Sequence, residues 1–388
     1  MTVDRRMRVA FLSYEFPPVA SGGAGTYAGE LVYRLARRGI DVTVLSRSGA
    51  ASGTPGVRLV QVAPTHASVL SYWRSLPGTF RRAFGNRPPD IIHANHIADL
   101  TLRKRSIPRA LTLHHASQAL CQPGLRGLRS RLLDVRGETG VVPFAEKYAV
   151  RRSDRVITVS EAARADIVRY YASDPDRVVV IHNGARVAPI ISTREVEEAR
   201  LKFGLSALEP VVLSIARLED RKGTDVLLRA FAKANRVVRC RLILAGAGRP
   251  DPYLDQAKNL GITDAVTFVG YVDDRSRDVL LSACDVFVQA SRYEGFGLSL
   301  VDALAQGIAC VATRTGIATD GRSGEVMKVV TVEDVGAMGS EIISLLREPA
   351  SRNALGRAAK AYIQATYNWD KTADQTARLY RELLASAG

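Results

Sequence analysis

Short runs of β-branched and other apolar residues alternate with helical patterns along almost the whole chain, in two series. RVAFLSY, DVTVLSR, VRLVQVA, DIIHA, ALTLHH, RVITVS and RVVVIHNG form the first, and PVVLSIARL, RLILAGAG, AVTFVGYV, DVFVQAS and ACVATRT the second. A strand that is apolar on both faces must be covered on both, which is the condition of a parallel sheet flanked by helices. Strand and helix in alternation then give the α/β class with doubly wound, Rossmann-like sheets. Two series in 388 residues make two such domains, each long enough for its own core. The break falls in HNGARVAPIISTREVEE, where the strand stops at Asn183-Gly184 and a Pro-containing linker follows. The expected domains are residues 1–184 and 185–368, with a closing helix over about 369–388.

Composition removes several classes. With 46% hydrophobic and 24% charged residues the chain reads as an ordinary globular protein. No apolar run approaches the ~18 residues of a membrane span, and no apolar leader precedes the first strand. A cytoplasmic location is expected. Cys121, Cys240, Cys284 and Cys310 are scattered without a CxxC pair, so no disulfide framework is implied. A net charge of +15 suits nucleic acid, an anionic membrane, polyanionic small ligands, or simply a solvated arginine-rich surface. No nucleic-acid recognition motif accompanies it, and no nucleic-acid partner is expected. In GLRGLRSRLLDVR, Leu125, Leu128 and Leu132 share one helical face while Arg126, Arg129 and Arg136 lie largely off it. This pattern fits peripheral contact with an anionic membrane, or an ordinary surface helix.

Three segments could carry chemistry. After the first strand, Gly22, Gly23 and Gly25 allow a tight turn and close approach to a phosphate, and the same glycines would serve a turn without a ligand. In SIARLEDRKGTDVLLRAF, Arg217 and Lys222 stand at a strand-to-helix corner where two cations can converge on one diphosphate. Alternatively they pair with Glu219 and Asp220. In SRYEGFGLSLVDALAQG, a Gly-rich loop carrying Glu294 leads into a helix carrying Asp302. Free N–H groups at that helix start favour an anion, and the carboxylate favours sugar hydroxyls. The combination suggests a ligand that is part sugar and part phosphate. His93 and His96 after one strand, and His114 and His115 after another, sit where doubly wound sheets bind ligands. Their spacing is a weak zinc signal, and a single polar histidine on a ligand fits better.

Arg217 through Lys222-Gly223, then LAGAG, VTFVGYV and SRYEGFGLSLVDALAQG, resemble the donor domain of glycosyltransferase family 4, retaining enzymes of GT-B architecture. VSEAARADI, IHNG and the early GGAG loop resemble that family's N-terminal domain. The resemblance implies two Rossmann-like domains facing a central cleft, with the last helix packing back on the first domain. It further implies a nucleotide-sugar donor, UDP more than GDP, and a hydroxyl acceptor bound by the N-terminal domain. No metal or other cofactor is implied. Carried over residue by residue, Arg217 and Lys222 would hold the diphosphate and Glu294 the sugar hydroxyls. Backbone of Gly295, Phe296, Gly297 and Leu298 would join the sugar and phosphate contacts, and Asp302 would bind the ribose. Gly22 and Gly23 would close on the phosphates, His114 (with His115 in reserve) would stand near the reacting sugar, and Tyr271 and Val272 would meet the base. Two departures stand out: Asp302 replaces a Glu, and the segment after Gly316 is shortened. A nucleotide-sugar 2-epimerase of the same fold, or a non-catalytic basic nucleic-acid-binding protein, are the alternatives.

Overall fold

The computed structural model describes residues 6–18, 22–47, 53–66, 68–102, 107–121, 141–187, 189–204, 206 and 209–387. The basic segment 124–136, with its membrane reading, lies outside them. The chain divides into two compact units. One holds the strands up to Gly184 together with Asn368–Gly388, and the other holds Ala185–Tyr367.

The first unit carries a parallel sheet of β1 (Arg8–Ser13), β2 (Asp41–Ser46), β3 (Val57–Gln61), β4 (Ile91–Asn95), β5 (Arg109–Thr112), β6 (Arg155–Thr158) and β7 (Val178–Val180). Its order is β3-β2-β1-β4-β5-β6-β7. The second carries β8 (Val211–Ile215), β9 (Arg241–Ala245), β10 (Val266–Gly270), β11 (Val286–Gln289), β12 (Ala309–Thr313) and β13 (Lys328–Val330), in the order β10-β9-β8-β11-β12-β13. Every strand pairing is parallel. The inner strands are the covered ones: β4, β5, β11 and β12 are buried at every residue, their polar residues included.

The topology fixes where a ligand can sit. In a doubly wound sheet the crevice opens at the carboxyl ends of two neighbouring strands whose connections leave in opposite directions. Those neighbours are β1 and β4 in the first unit and β8 and β11 in the second. The glycine turn and His96 follow the first pair; the Lys222 and Glu294 loops follow the second.

The helix Trp369–Ala387 completes the first unit. Arg38 binds it through Asp374 at 2.6 Å and Asp370 at 3.1 Å. The Tyr380 hydroxyl meets His93 Nδ1 at 2.5 Å, and Thr112 Oγ1 meets the other ring nitrogen at 2.7 Å. His93 is fully buried, and burial lowers its pKa to about 3, so the ring is neutral. Removing one partner of a buried polar group costs ~1–3 kcal/mol. Tyr380→Phe is accordingly expected to lower stability by that amount in urea unfolding; an unchanged midpoint would contradict the packing.

Candidate functional site

The two loops beyond β8 and β11 are locked together by backbone contacts that exclude side chains. After β8 the chain makes a short turn, Asp220–Lys222, and enters the helix Thr224–Val237 through Gly223, whose φ is +64°. A Cβ on Gly223 would lie 2.0 Å from the Ala290 carbonyl oxygen, so only glycine lets the loops approach this closely. Arg292 fastens them from the other side. Its N–H donates to the Arg221 carbonyl at 2.8 Å, and its guanidinium donates to the Asp220 carbonyl at 2.6 Å and to both Asp225 oxygens at 2.8 Å.

This closeness brings Lys222 onto Glu294. The Lys222 ammonium donates to Glu294 Oε1, and Ser291 Oγ donates to the same oxygen at 2.9 Å. Arg221 Nη1 stands 3.6 Å from Glu294 Oε2 and donates to the Tyr293 carbonyl at 3.2 Å. Burial by itself would raise the Glu294 pKa, but Lys222, Arg221 and the Ser291 hydroxyl outweigh it and hold the carboxyl at about 2. Burial, reinforced by Arg221, pulls the Lys222 pKa down against the attraction of Glu294. Arg217 stands apart: its side chain is 59% exposed and pairs with Glu219 at 2.7 Å. Of the two cations singled out from sequence, only Lys222 touches Glu294; the second cation at the carboxylate is Arg221, which sequence reasoning passed over. The Arg217–Glu219 pair is the alternative that the sequence left open for that residue.

Beyond Glu294, Gly297 starts the helix Leu298–Gln306 from the left-handed region at φ +101°. No side chain among the described residues caps it, which leaves its first N–H groups available. Gln289, 7% exposed, lies beside Gly297, and its Nε2 has no partner among the described residues. Like Arg221, it carries no sequence signal. Phe296 is buried, its ring edge-on to Tyr367 at 5.6 Å. Its carbonyl accepts the Ile317 N–H at 3.0 Å. Gly316, at φ +54°, fits beneath this loop where a Cβ would meet the Phe296 oxygen at 2.3 Å. The segment after Gly316 is thus a buried floor to the Glu294 loop. Tyr271, 78% exposed, and Val272 follow β10 at the sheet edge, away from the β8–β11 crevice.

Asp302 is 6% exposed and turned toward the linker: Oδ1 accepts the Arg186 N–H at 3.2 Å, and Oδ2 is 3.9 Å from Arg277. Burial raises its pKa from 3.8 to about 7, against the pull of Arg186. Between those values the unfolded chain has lost a proton that the folded one keeps, so stability falls as pH rises through the window and then levels. Asp302→Asn keeps an acceptor for Arg186 and removes the penalty. It is expected to stabilise the protein by a few kcal/mol above the window, at ~1.4 kcal/mol per pKa unit, and to leave it unchanged below. Urea unfolding at the two pH extremes checks this; equal effects at both would refute the assignment.

In the first unit, Gly22 and Gly23 are exposed at the start of the helix Gly23–Arg37, which no side chain among the described residues caps. Asn95, ending β4, joins this helix start to His114. Its Nδ2 donates to Ser13 Oγ at 2.9 Å and to the Ala24 carbonyl at 3.0 Å, while Oδ1 meets His114 Nε2 at 2.8 Å. A carbonyl can only accept, so the amide orientation is set and His114 carries its proton on Nε2. Burial, with the neighbouring histidines, lowers the His114 pKa to about 3. The ring is a neutral hydrogen-bond acceptor through Nδ1, not a cation. His96 and Glu146 form a second pair at 2.9 Å. Among the described residues no group of three or more His, Cys, Asp and Glu is placed to hold a metal, and no helix is long and apolar enough to cross a membrane.

Residues 21–188 match the family model described as Glycosyltransferase Family 4, and residues 195–362 match Glycosyl transferases group 1. Glycogen synthase of Mycobacterium tuberculosis strain H37Rv is 27% identical, over 96% of this chain and 94% of that protein. D-inositol 3-phosphate glycosyltransferase of Mycobacterium marinum is 28% identical, over 97% and 86%. Among solved structures, sucrose-phosphate synthase from Thermosynechococcus elongatus superposes with a TM-score of 0.81 at 24% identity, covering 98% of this chain and all of that one (100%). Anabaena HepE in complex with UDP and glucose gives 0.75 at 20% identity, covering 97% and 100%.

Proposed function

Because the second unit matches the group 1 glycosyltransferases and the first matches Glycosyltransferase Family 4, on a GT-B fold, we propose that the chain is a retaining hexosyltransferase. It takes a hexose-type sugar from a nucleotide diphosphate, UDP in preference to GDP. The acceptor is a hydroxyl on a small molecule, a glycan or a lipid-linked molecule. The observation that carries this reading is the Lys222–Glu294 pair at the β8–β11 crevice.

The pair holds one group for each half of such a donor. The ionised Glu294 accepts hydrogen bonds from sugar hydroxyls, while Lys222, with Arg217 swinging in from solvent, stabilises the charge that grows on the departing diphosphate. Arg221 keeps Glu294 compensated when Lys222 turns to the phosphate. Uncapped N–H groups of Gly297 and Leu298 and the Gln289 amide add donors at the same place. Asp302 binds the ribose, and the neutral His114 accepts a hydroxyl of the reacting sugar. Gly22 and Gly23 close on the phosphates, and backbone at Tyr271 and Val272 meets the base. The counter-charges for the leaving group are side chains, so the reading calls for no metal. UDP is favoured because Anabaena HepE, of similar fold, was solved with UDP and glucose.

A thermal-shift screen over UDP, GDP, ADP and their sugars is expected to raise Tm most with UDP. Transfer followed by NMR of the new linkage should show the donor's anomeric configuration kept. Inversion would reject the retaining mechanism, and no response to any nucleotide would reject the donor site.

A further inference from the structure

Glu146, on the helix Val141–Arg152, has no accessible surface, yet four donors converge on its carboxylate. Ser117 N–H donates at 2.8 Å, Ser117 Oγ at 2.6 Å and His96 Nε2 at 2.9 Å, and the Tyr171 hydroxyl completes the set. Burial works to raise its pKa, but His96 and Ser117 outweigh it and keep the group ionised. A buried ionised carboxylate is costly unless its arrangement is fully satisfied, as this one is.

What it holds is a histidine in an unusual backbone conformation. His96 follows β4 at the carboxyl edge of the sheet, in the left-handed region at φ +61°, with its N–H on the Thr112 carbonyl at 2.7 Å. Non-glycine residues rarely adopt that conformation, and strain of this kind collects at functional sites. Since a carboxylate accepts only, the His96 proton is on Nε2. Nδ1 is then a lone-pair acceptor with no partner among the described residues, on a side chain 31% exposed. His114, from the next strand, is fixed in the same tautomer by Asn95. Two neighbouring strand ends thus each hold an imidazole by Nε2 and leave Nδ1 free of partners among the described residues.

We propose that His96, held by Glu146, is a binding residue for the acceptor molecule, taking a hydrogen bond from a hydroxyl of a polyhydroxylated acceptor such as a sugar or cyclitol. The assignment rests on the reading that the first unit serves the acceptor.

Two measurements test it. In protein labelled with 15N-histidine, imidazole correlations should show His96 as the fixed Nε2–H tautomer, and Glu146→Gln should abolish that preference. A ring protonated on Nδ1, or averaging between tautomers in the wild type, overturns the proposal whatever the acceptor. The second uses His96→Asn, since asparagine tolerates a positive φ and can still donate to Glu146. Assayed with UDP-glucose and a panel of free sugars and cyclitols, the variant's KM for whichever of them the wild type glycosylates should rise ~10-fold, in line with one lost hydrogen bond, with kcat within about threefold and UDP affinity unchanged. An unchanged acceptor KM overturns the proposal. Absence of transfer by the wild type would count against the glycosyltransferase reading instead, leaving the tautomer result to decide the pairing.

Discussion

Lys222→Ala is expected to reduce sugar transfer by two to three orders of magnitude, the effect of losing one group that stabilises leaving-group charge (~2.7–4 kcal/mol). Its second effect is on the protein itself. Glu294 is held at about 2, and a carboxyl held below its unfolded value of 4.5 adds stability that is complete above that value. That stability is lost as pH falls through the folded value. Without Lys222 the carboxylate keeps only Arg221, at 3.6 Å, and Ser291. Stability near neutral pH should fall by roughly 2–3 kcal/mol, less than the ~3–5 kcal/mol of breaking a buried pair outright, because Arg221 and Ser291 remain. The loss should shrink as pH drops toward the folded value, because the wild-type pair is failing there too. Urea unfolding of both proteins at about pH 7 and about pH 3 reads this directly. Glu294→Ala makes the complementary change: turnover should collapse, while UDP affinity falls less because Lys222 remains to meet the phosphates. If both variants transfer at the wild-type rate, the site is elsewhere.

Gly223→Ala is expected to damage the donor-side loops severely. Its Cβ would lie 2.0 Å from the Ala290 carbonyl oxygen and 3.0 Å from the carbonyl carbon, and both belong to backbone at the end of β11. Neither side can yield without breaking the Arg221–Arg292 junction, so a loss above ~4 kcal/mol is expected. Gly261→Ala supplies the control. Its φ is +70°, close to the +64° of Gly223, yet nothing lies within 4 Å of its Cβ. It should cost only the ~1 kcal/mol of a left-handed alanine. Comparable melting temperatures for the two variants would show that conformation, and not contact between the loops, sets the demand for glycine.

The alternating pattern was enough to locate twelve of the strands: the inner ones write continuous apolar runs because both faces are buried, and the edge strands β3 and β10, with no buried residue, still carry β-branched residues. β13 (Lys328–Val330) was not legible: three residues starting with a lysine carry no such run. The cysteines, the glycine loops and the Glu294 segment were visible for similar reasons, each being a local departure in residue type. Arg221 was not, since an arginine in an arginine-rich loop acquires meaning only from a carboxylate 73 positions away that packing brings beside it. Glu146 is a harder case. One acid in a helix looks like a solvated charge until Ser117, Tyr171 and His96 close around it. His93 was misleading in the opposite sense: it suggested a ligand or metal contact, and the fold spends it on a core hydrogen bond to Tyr380.

The return of Trp369–Ala387 to the first unit has a consequence for how the chain is made. Among the described residues the second unit is one continuous stretch, Ala185–Tyr367, so their contacts can all form as soon as that stretch has emerged from the ribosome. The first unit begins synthesis earlier yet cannot finish, because Tyr380 and Asp374, the partners of His93 and Arg38, are made near the end. Until then its β4 core holds a buried imidazole nitrogen without a partner. The part of the protein synthesised first is therefore the part that folds to completion last, and chaperone or protease sensitivity during synthesis should concentrate there.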